Sequence, residues 1–298
     1  MSKSKFDASK ISLQSHGVLI EVHISSYSGS SLDREASTET AQAKNSKASY
    51  ANDAYRVNKV VYNRDYLRPV SRISLGFYKW LRARSHEWAR GVYLIKAESL
   101  HEVLTEYQKT KVKFNKALAH LNSDEQREVA LQDYRDRAGT GFDESLWPSI
   151  DQINEKFQFS IDVEQLPDPQ TSNALIFKIG EQAADKIKQD TEKRLKKKAK
   201  QIAEETAQRI AEIVEKIQST LSDQDAKFKD SLIGNLRGLV EIIDTLNITG
   251  DPEISAIKRD LQKGICTTDP QSLRDDPVKR KDTAKEAKRL LGKLKKLS

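Results

Sequence analysis

The sequence predicts a mainly α protein with a small α+β front part, an elongated helical bundle or coiled coil built around one very long helix. Three observations carry that prediction. Residues 181–221 contain neither proline nor glycine and hold an apolar stripe at helical spacing. Segments 17–24 and 157–164 alternate apolar and polar side chains with the period of a strand. Hydrophobic residues form 37% and charged residues 32% of the 298, a balance suited to thin apolar stripes and wide solvated faces. By pattern the chain divides into an α+β region over 1–168, a long-helix region over 169–250 and C-terminal helices with a basic tail over 251–298.

In 17–24, Val18, Ile20, Val22 and Ile24 share one strand face; His23 lies on the other, where a solvated role is expected. SSYSGSS (25–31) ends that strand, and the small polar residues of 33–53 read as a mobile segment or a weak helix. From Tyr66 the period becomes helical, with Pro69 in the first turn and Val70, Ile73, Phe77, Trp80 and Leu81 on one stripe. SHEWARGVYLI (85–95) interrupts it with Gly91 and a short apolar run. A helix over roughly 98–121 follows, and Ser123 with Gln126 marks the start of another over roughly 124–137. Ser149 with Gln152 starts a short helix, before the strand 157–164 and the break LPDPQ.

The long-helix stripe runs Ile187, Thr191, Leu195, Ala199, Ile202, Thr206, Ile210, Ile213, Ile217, Leu221. Its later half repeats about every 3.67 residues, so the helix is nearly straight and no left-handed zipper. The lysine-rich run 193–200 therefore reads as the wet face of a structural helix. At roughly 60 Å the helix outruns its neighbours in sequence, and a homo-oligomer is the expected way to cover its stripe. Asp251-Pro252 and Asp276-Pro277 each supply an N-cap and a first-turn proline for a further helix.

The net charge of +7 is unevenly placed. Residues 276–298 hold nine Lys/Arg against three acids, and 55–93 hold nine against two. The second island interleaves Arg56, Lys59, Arg64, Arg68, Arg72, Lys79, Arg82, Arg84 and Arg90 with Tyr62, Tyr66, Tyr78 and Trp88. Cations of this kind neutralise phosphates and aromatic faces stack on unpaired bases; the competing reading is an aromatic core with arginines reaching outward. In the tail, Lys279, Arg280, Lys281, Lys288, Arg289, Lys293, Lys295 and Lys296 are candidate phosphate contacts, while Leu290, Leu291, Leu294 and Leu297 favour docking.

Enzyme signatures are missing: the sequence has no GxxxxGK[ST] loop, no HExxH and no CxxC. Gly139-Thr140-Gly141 follows a helix, the wrong context for a dinucleotide turn. The five histidines (16, 23, 86, 101, 120) show no metal spacing, and the lone Cys266 forms no disulfide framework. No catalytic residue, metal or cofactor is therefore assigned. No apolar run reaches transmembrane length and the start lacks a secretory h-region, so a cytoplasmic protein without a membrane partner is expected.

GVLIEVHISSYSGSSLD, residues 80–88, GVYLIKAESLHEVLTEYQKTKVKFNKAL, FDESLWPSIDQINEKFQFSIDVEQLPDP and TLNITGDPEI together resemble an uncharacterised domain family of phages and bacterial mobile elements. WPSIDQINEKFQFSIDVEQLP and LNITGDPEI are its most specific stretches, and residues 277–298 lie beyond it. The family's genes often neighbour a MoxR/CobS-like AAA+ ATPase and a von Willebrand factor A-type protein. The resemblance thus implies an accessory role beside a ring ATPase, and it carries no catalytic residues. The expected function is a non-enzymatic, phage-type helical assembly protein that binds nucleic acid as an oligomer. The alternative is a protein-binding adaptor or inhibitor, an AAA+ ATPase among its candidate partners, without nucleic-acid contact.

Overall fold

The computed structural model describes residues 13–44, 54–170 and 180–297. The protein is mainly helical, and among the described residues the strands lie in its front part. Its residues form two compact units, each discontinuous in sequence. The aromatic unit comprises the described parts of Val22–Leu81 and Val103–Ile161; the long-helix unit comprises those of Met1–Glu21, Arg82–Glu102 and Asp162–Ser298.

Helix α1 (Leu13–His16) leads into strand β1 (Gly17–Ile24), which matches its expected span. In the aromatic unit, β2 (Ser30–Asp33) and β3 (Val57–Val60) pair antiparallel, from Ser30 opposite Val60 to Asp33 opposite Val57. Asp33 then caps helix α2 (Arg34–Ala43) by accepting from the Ala36 amide at 2.9 Å. The weak-helix alternative for 33–53 is realised over α2, and residues 45–53 lie outside the described ones. Gly29 has φ 73°, and a Cβ there would sit 2.0 Å from the Tyr62 carbonyl oxygen, so the close approach requires glycine.

Helix α3 (Arg64–Ala83) starts before the expected Tyr66, which places Pro69 inside it rather than in its first turn. Leu67, Val70, Ser74, Phe77 and Leu81 form its buried face. Helices α4 (Leu100–Leu121), α5 (Asp124–Ala138) and α6 (Ile150–Lys156) fall close to their expected spans. Ser149 and Gln152 make the reciprocal capping box at α6. Phe159 meets Phe77 at 5.4 Å and Phe114 at 5.5 Å between ring centroids, an edge-rich cluster that anchors the unit. A second aromatic stack sets Tyr62 on Trp147 at 4.7 Å.

The long-helix unit contains the hairpin β4 (His86–Ala89) and β5 (Val92–Lys96). Residues 17–21 of β1 pair antiparallel with β5. The interruption at 85–95 is thus two strands around Gly91, whose φ is 82°. Helix α7 (Glu181–Ser222) confirms the long helix. Helices α8 (Ser231–Leu246), α9 (Pro252–Lys263), α10 (Pro270–Asp275) and α11 (Pro277–Leu294) follow. One core joins Ile210, Val214, Ile217 and Leu221 of α7 to Leu236, Ile243, Ile257, Leu261, Leu290 and Leu294. The expected homo-oligomer rested on a stripe without partners in its own chain, and over this half of α7 the chain supplies them. Nearer its N-terminus, Leu195, Ala199 and Ile202 pack with Leu13, Leu19 and Leu94, while Ile187 stays exposed.

His86 is 1% exposed and ties this unit together. Its Nε2 donates to the Leu246 carbonyl at the end of α8 at 2.9 Å, and its Nδ1 lies 3.1 Å from Glu205 Oε2 on α7. Thr206 Oγ1 is 3.2 Å from the same Leu246 oxygen. The bond to His86 holds the Glu205 carboxyl below the usual carboxylate range.

Residues 246–254 form the link between α8 and α9, and residues 147–167 hold α6 and a following strand. Asn247 bridges to Asp251 through bonds of 2.8 and 2.9 Å, Gly250 takes φ 67°, and Asp251 caps α9 ahead of Pro252. In the other, Trp147 stacks and the Pro148 carbonyl accepts from Arg127 at 2.9 Å.

Candidate nucleic-acid interface

The basic island of 55–93 becomes a stripe where it enters α3. At about 100° per residue, Arg64, Arg68, Arg72 and Lys79 fall within a sector of roughly 80°, well away from the buried face. All four are exposed. Arg68 pairs with Asp65 at 2.7 Å, a solvated contact that leaves its charge available to a stronger anion. Arg64, Arg72 and Lys79 make no ion pair among the described residues. Leu75, 46% exposed, lies in the same sector and adds no competing charge. The helix thus presents four cations along about 22 Å of its length.

The other candidates of this island are dispersed. Arg56 is exposed before β3, and Lys59 is tied to Asp33 at 3.2 Å. Arg82, Arg84 and Arg90 belong to the long-helix unit, where Arg84 lies 3.7 Å from Glu102.

The aromatic candidates need correction. Tyr62 is fully buried, and its hydroxyl pKa is pushed up to about 12 by that burial. It is a core residue and cannot stack on a base. Tyr66 is half-buried, edge-on to Tyr62 at 6.3 Å, and points away from the basic sector. Trp88 packs on the Leu13–Leu19–Leu94 cluster with Lys198 Nζ 5.8 Å from its ring centre. Tyr78, half-buried, alone of the four borders the stripe. The core reading wins for Tyr62 and Tyr66, which pack against other rings, and for Trp88, which packs on the leucine cluster, where apolar area counts most.

The tail is also divided. Lys279, Lys281, Lys288, Lys295 and Lys296 are exposed. Arg280 is 9% exposed and is withdrawn as a surface contact. Its Nε donates to Leu221 O at 3.3 Å, and its Nη2 to Thr220 O at 3.1 Å, Ala226 O at 2.9 Å and Asp223 O. It therefore caps the C-terminal end of α7, where a cation complements the helix dipole. Arg289 and Lys293 close on Asp260 at 3.3 and 2.7 Å, and Arg289 also on Glu286. With Leu290, Leu291 and Leu294 buried, α11 is a core helix rather than a detachable arm.

This cluster gives a pH signature. Hydrogen bonds from Lys293 hold Asp260 below the ordinary carboxylate range, and those from Arg289 do the same for Glu286. Depressed carboxyls contribute stability above the unfolded-state range and lose it as pH falls through their folded values. Asp260→Asn should thus lower the thermal midpoint at pH 7 by an amount worth at most about 1 kcal/mol, a gap closing below about pH 4. A gap unchanged at pH 3 in thermal melts would contradict the assignment.

Burial pushes the Cys266 thiol up, away from nucleophilic use. Among the described residues no group of three or more His, Cys, Asp or Glu is arranged to hold a metal, and no helix is long and apolar enough to cross a membrane. No family model, curated protein or solved structure matches the chain.

Proposed function

We propose that the protein is a non-enzymatic nucleic-acid-binding protein that grips the sugar-phosphate backbone through the α3 stripe and does not read sequence. The observation that carries this reading is the row of Arg64, Arg68, Arg72 and Lys79 in one exposed sector, with Tyr62 stacked in the core and Tyr66 turned away. Phosphate neutralisation by these four residues is salt-dependent and indifferent to base identity. An accessory partnership with an AAA+ ATPase, implied by the family resemblance, adds no residue to this surface.

Fluorescence anisotropy with 20-nucleotide single- and double-stranded probes tests it. Four phosphate contacts on duplex DNA give a slope of log affinity on log salt near −3.6, or about 100-fold weaker binding between 50 and 200 mM salt. Changing all four residues to alanine should remove most of that slope, and swapping probe sequence should leave affinity within a few-fold. A flat salt response, or no binding at low salt, ends the proposal and returns the chain to the protein-binding adaptor reading. Pull-down of a ring ATPase without nucleic acid would point the same way.

A further inference from the structure

A cavity of about 540 Å³ opens in the long-helix unit beside the C-terminus of α7. Its walls carry Arg274, Arg280, Lys281, Lys285 and Lys288 against one carboxylate, Asp225. The volume is within the range of small-ligand sites, about 300–1,000 Å³. Lys281, Lys285 and Lys288 are spaced four and three residues apart, which puts them on one face of α11. Lys285 meets Asp282 at 3.2 Å, while Lys281 and Lys288 form no ion pair among the described residues. Arg280 is held rigid by its bonds to four backbone carbonyls through Nε and Nη2, and none of those bonds uses Nη1. A fixed guanidinium edge and three ammonium groups around one concavity focus positive potential there. That set of donors exceeds what the two oxygens of a carboxylate accept and suits the several oxygens of a phosphate.

We propose that this cavity binds a phosphate group, carried either by a small phosphorylated ligand or by a nucleic-acid backbone. The site rests on residues separate from the α3 stripe and stands or falls independently of it. Calorimetric titration of the full chain with pyrophosphate, and separately with a 12-nucleotide oligothymidine, distinguishes the two sources. The test variant is Lys281→Gln with Lys288→Gln; both side chains are exposed, and an unchanged thermal midpoint verifies folding. Saturable pyrophosphate binding that weakens at least 10-fold in this variant, and not in the α3 quadruple variant, identifies a small-phosphate site. Loss confined to the oligonucleotide identifies a backbone contact. If neither probe responds to Lys281 and Lys288, or acetate competes as well as pyrophosphate, the proposal is overturned.

Discussion

Replacing Arg280 by methionine should lower the stability of the long-helix unit by about 3–4 kcal/mol. One guanidinium serves the carbonyls of Thr220, Leu221, Asp223 and Ala226, groups that end α7 and begin the loop to α8. Bonds to a charged donor contribute about 1.5–3 kcal/mol each before correlation, and an abandoned buried carbonyl costs about 1–3 kcal/mol. The four are not additive, because water reaches part of this loop and the methionine regains apolar contact. Arg280 also sits 5.4 Å from the centre of the Phe228 ring, which Arg274 approaches at 5.3 Å, so the loop loses a cation–π contact as well. Urea titration followed by far-UV circular dichroism reads the change. Arg280→Lys should recover less than half of it, since an ammonium cannot span four acceptors. A loss below about 1 kcal/mol for the methionine variant would mean that the carbonyls are served by solvent.

His86→Leu is expected to cost about 2–4 kcal/mol in the same assay. Leucine fills much of the volume, so the loss is polar rather than a cavity effect. It strips one donor from the Leu246 carbonyl, leaving Thr206, and leaves the Glu205 carboxylate without its ring partner. Glu205→Gln retains an oxygen facing the ring and should cost about 1 kcal/mol, roughly one ordinary hydrogen bond. In a double-mutant cycle the two changes should couple, the second costing less after the first. Strict additivity would show that the ring and the carboxylate act separately, and a stable His86→Leu variant would show that the core repacks without them.

These two residues also mark what could be read ahead of the structure. Elements with long periods or local chemistry were legible: the stripe of α7, the alternation in β1, the capping box at Ser149 and the Asp-Pro starts of α9 and α11. Strands β2 and β3 are four residues each, too short for a period to stand out, and they pair across more than twenty residues. His86 looked like an isolated histidine because its partners lie 119 and 160 positions away. Arg280 looked like one more surface cation in a basic run, since nothing in the run records that the helix end of α7 arrives beside it. Sequence counted charges correctly but could not say which of them protein acceptors consume. The solvated face of 193–200 was legible because Leu195 and Ala199 fixed the helix phase, and both are buried.

The interleaving of the two units bears on how the chain is made. Residues of β4 and β5 leave the ribosome early, yet their unit is finished only by α11 near the end of the chain. At about 5–20 residues per second, some 200 further residues take roughly 10–40 s to emerge. In the part of that interval before α7 and α8 emerge, His86 and Leu94, both nearly inaccessible in the finished fold, lack the helices that cover them. Nascent chains halted before α7 should therefore be captured by chaperones that recognise apolar hairpins, and released once α7 and α8 have emerged.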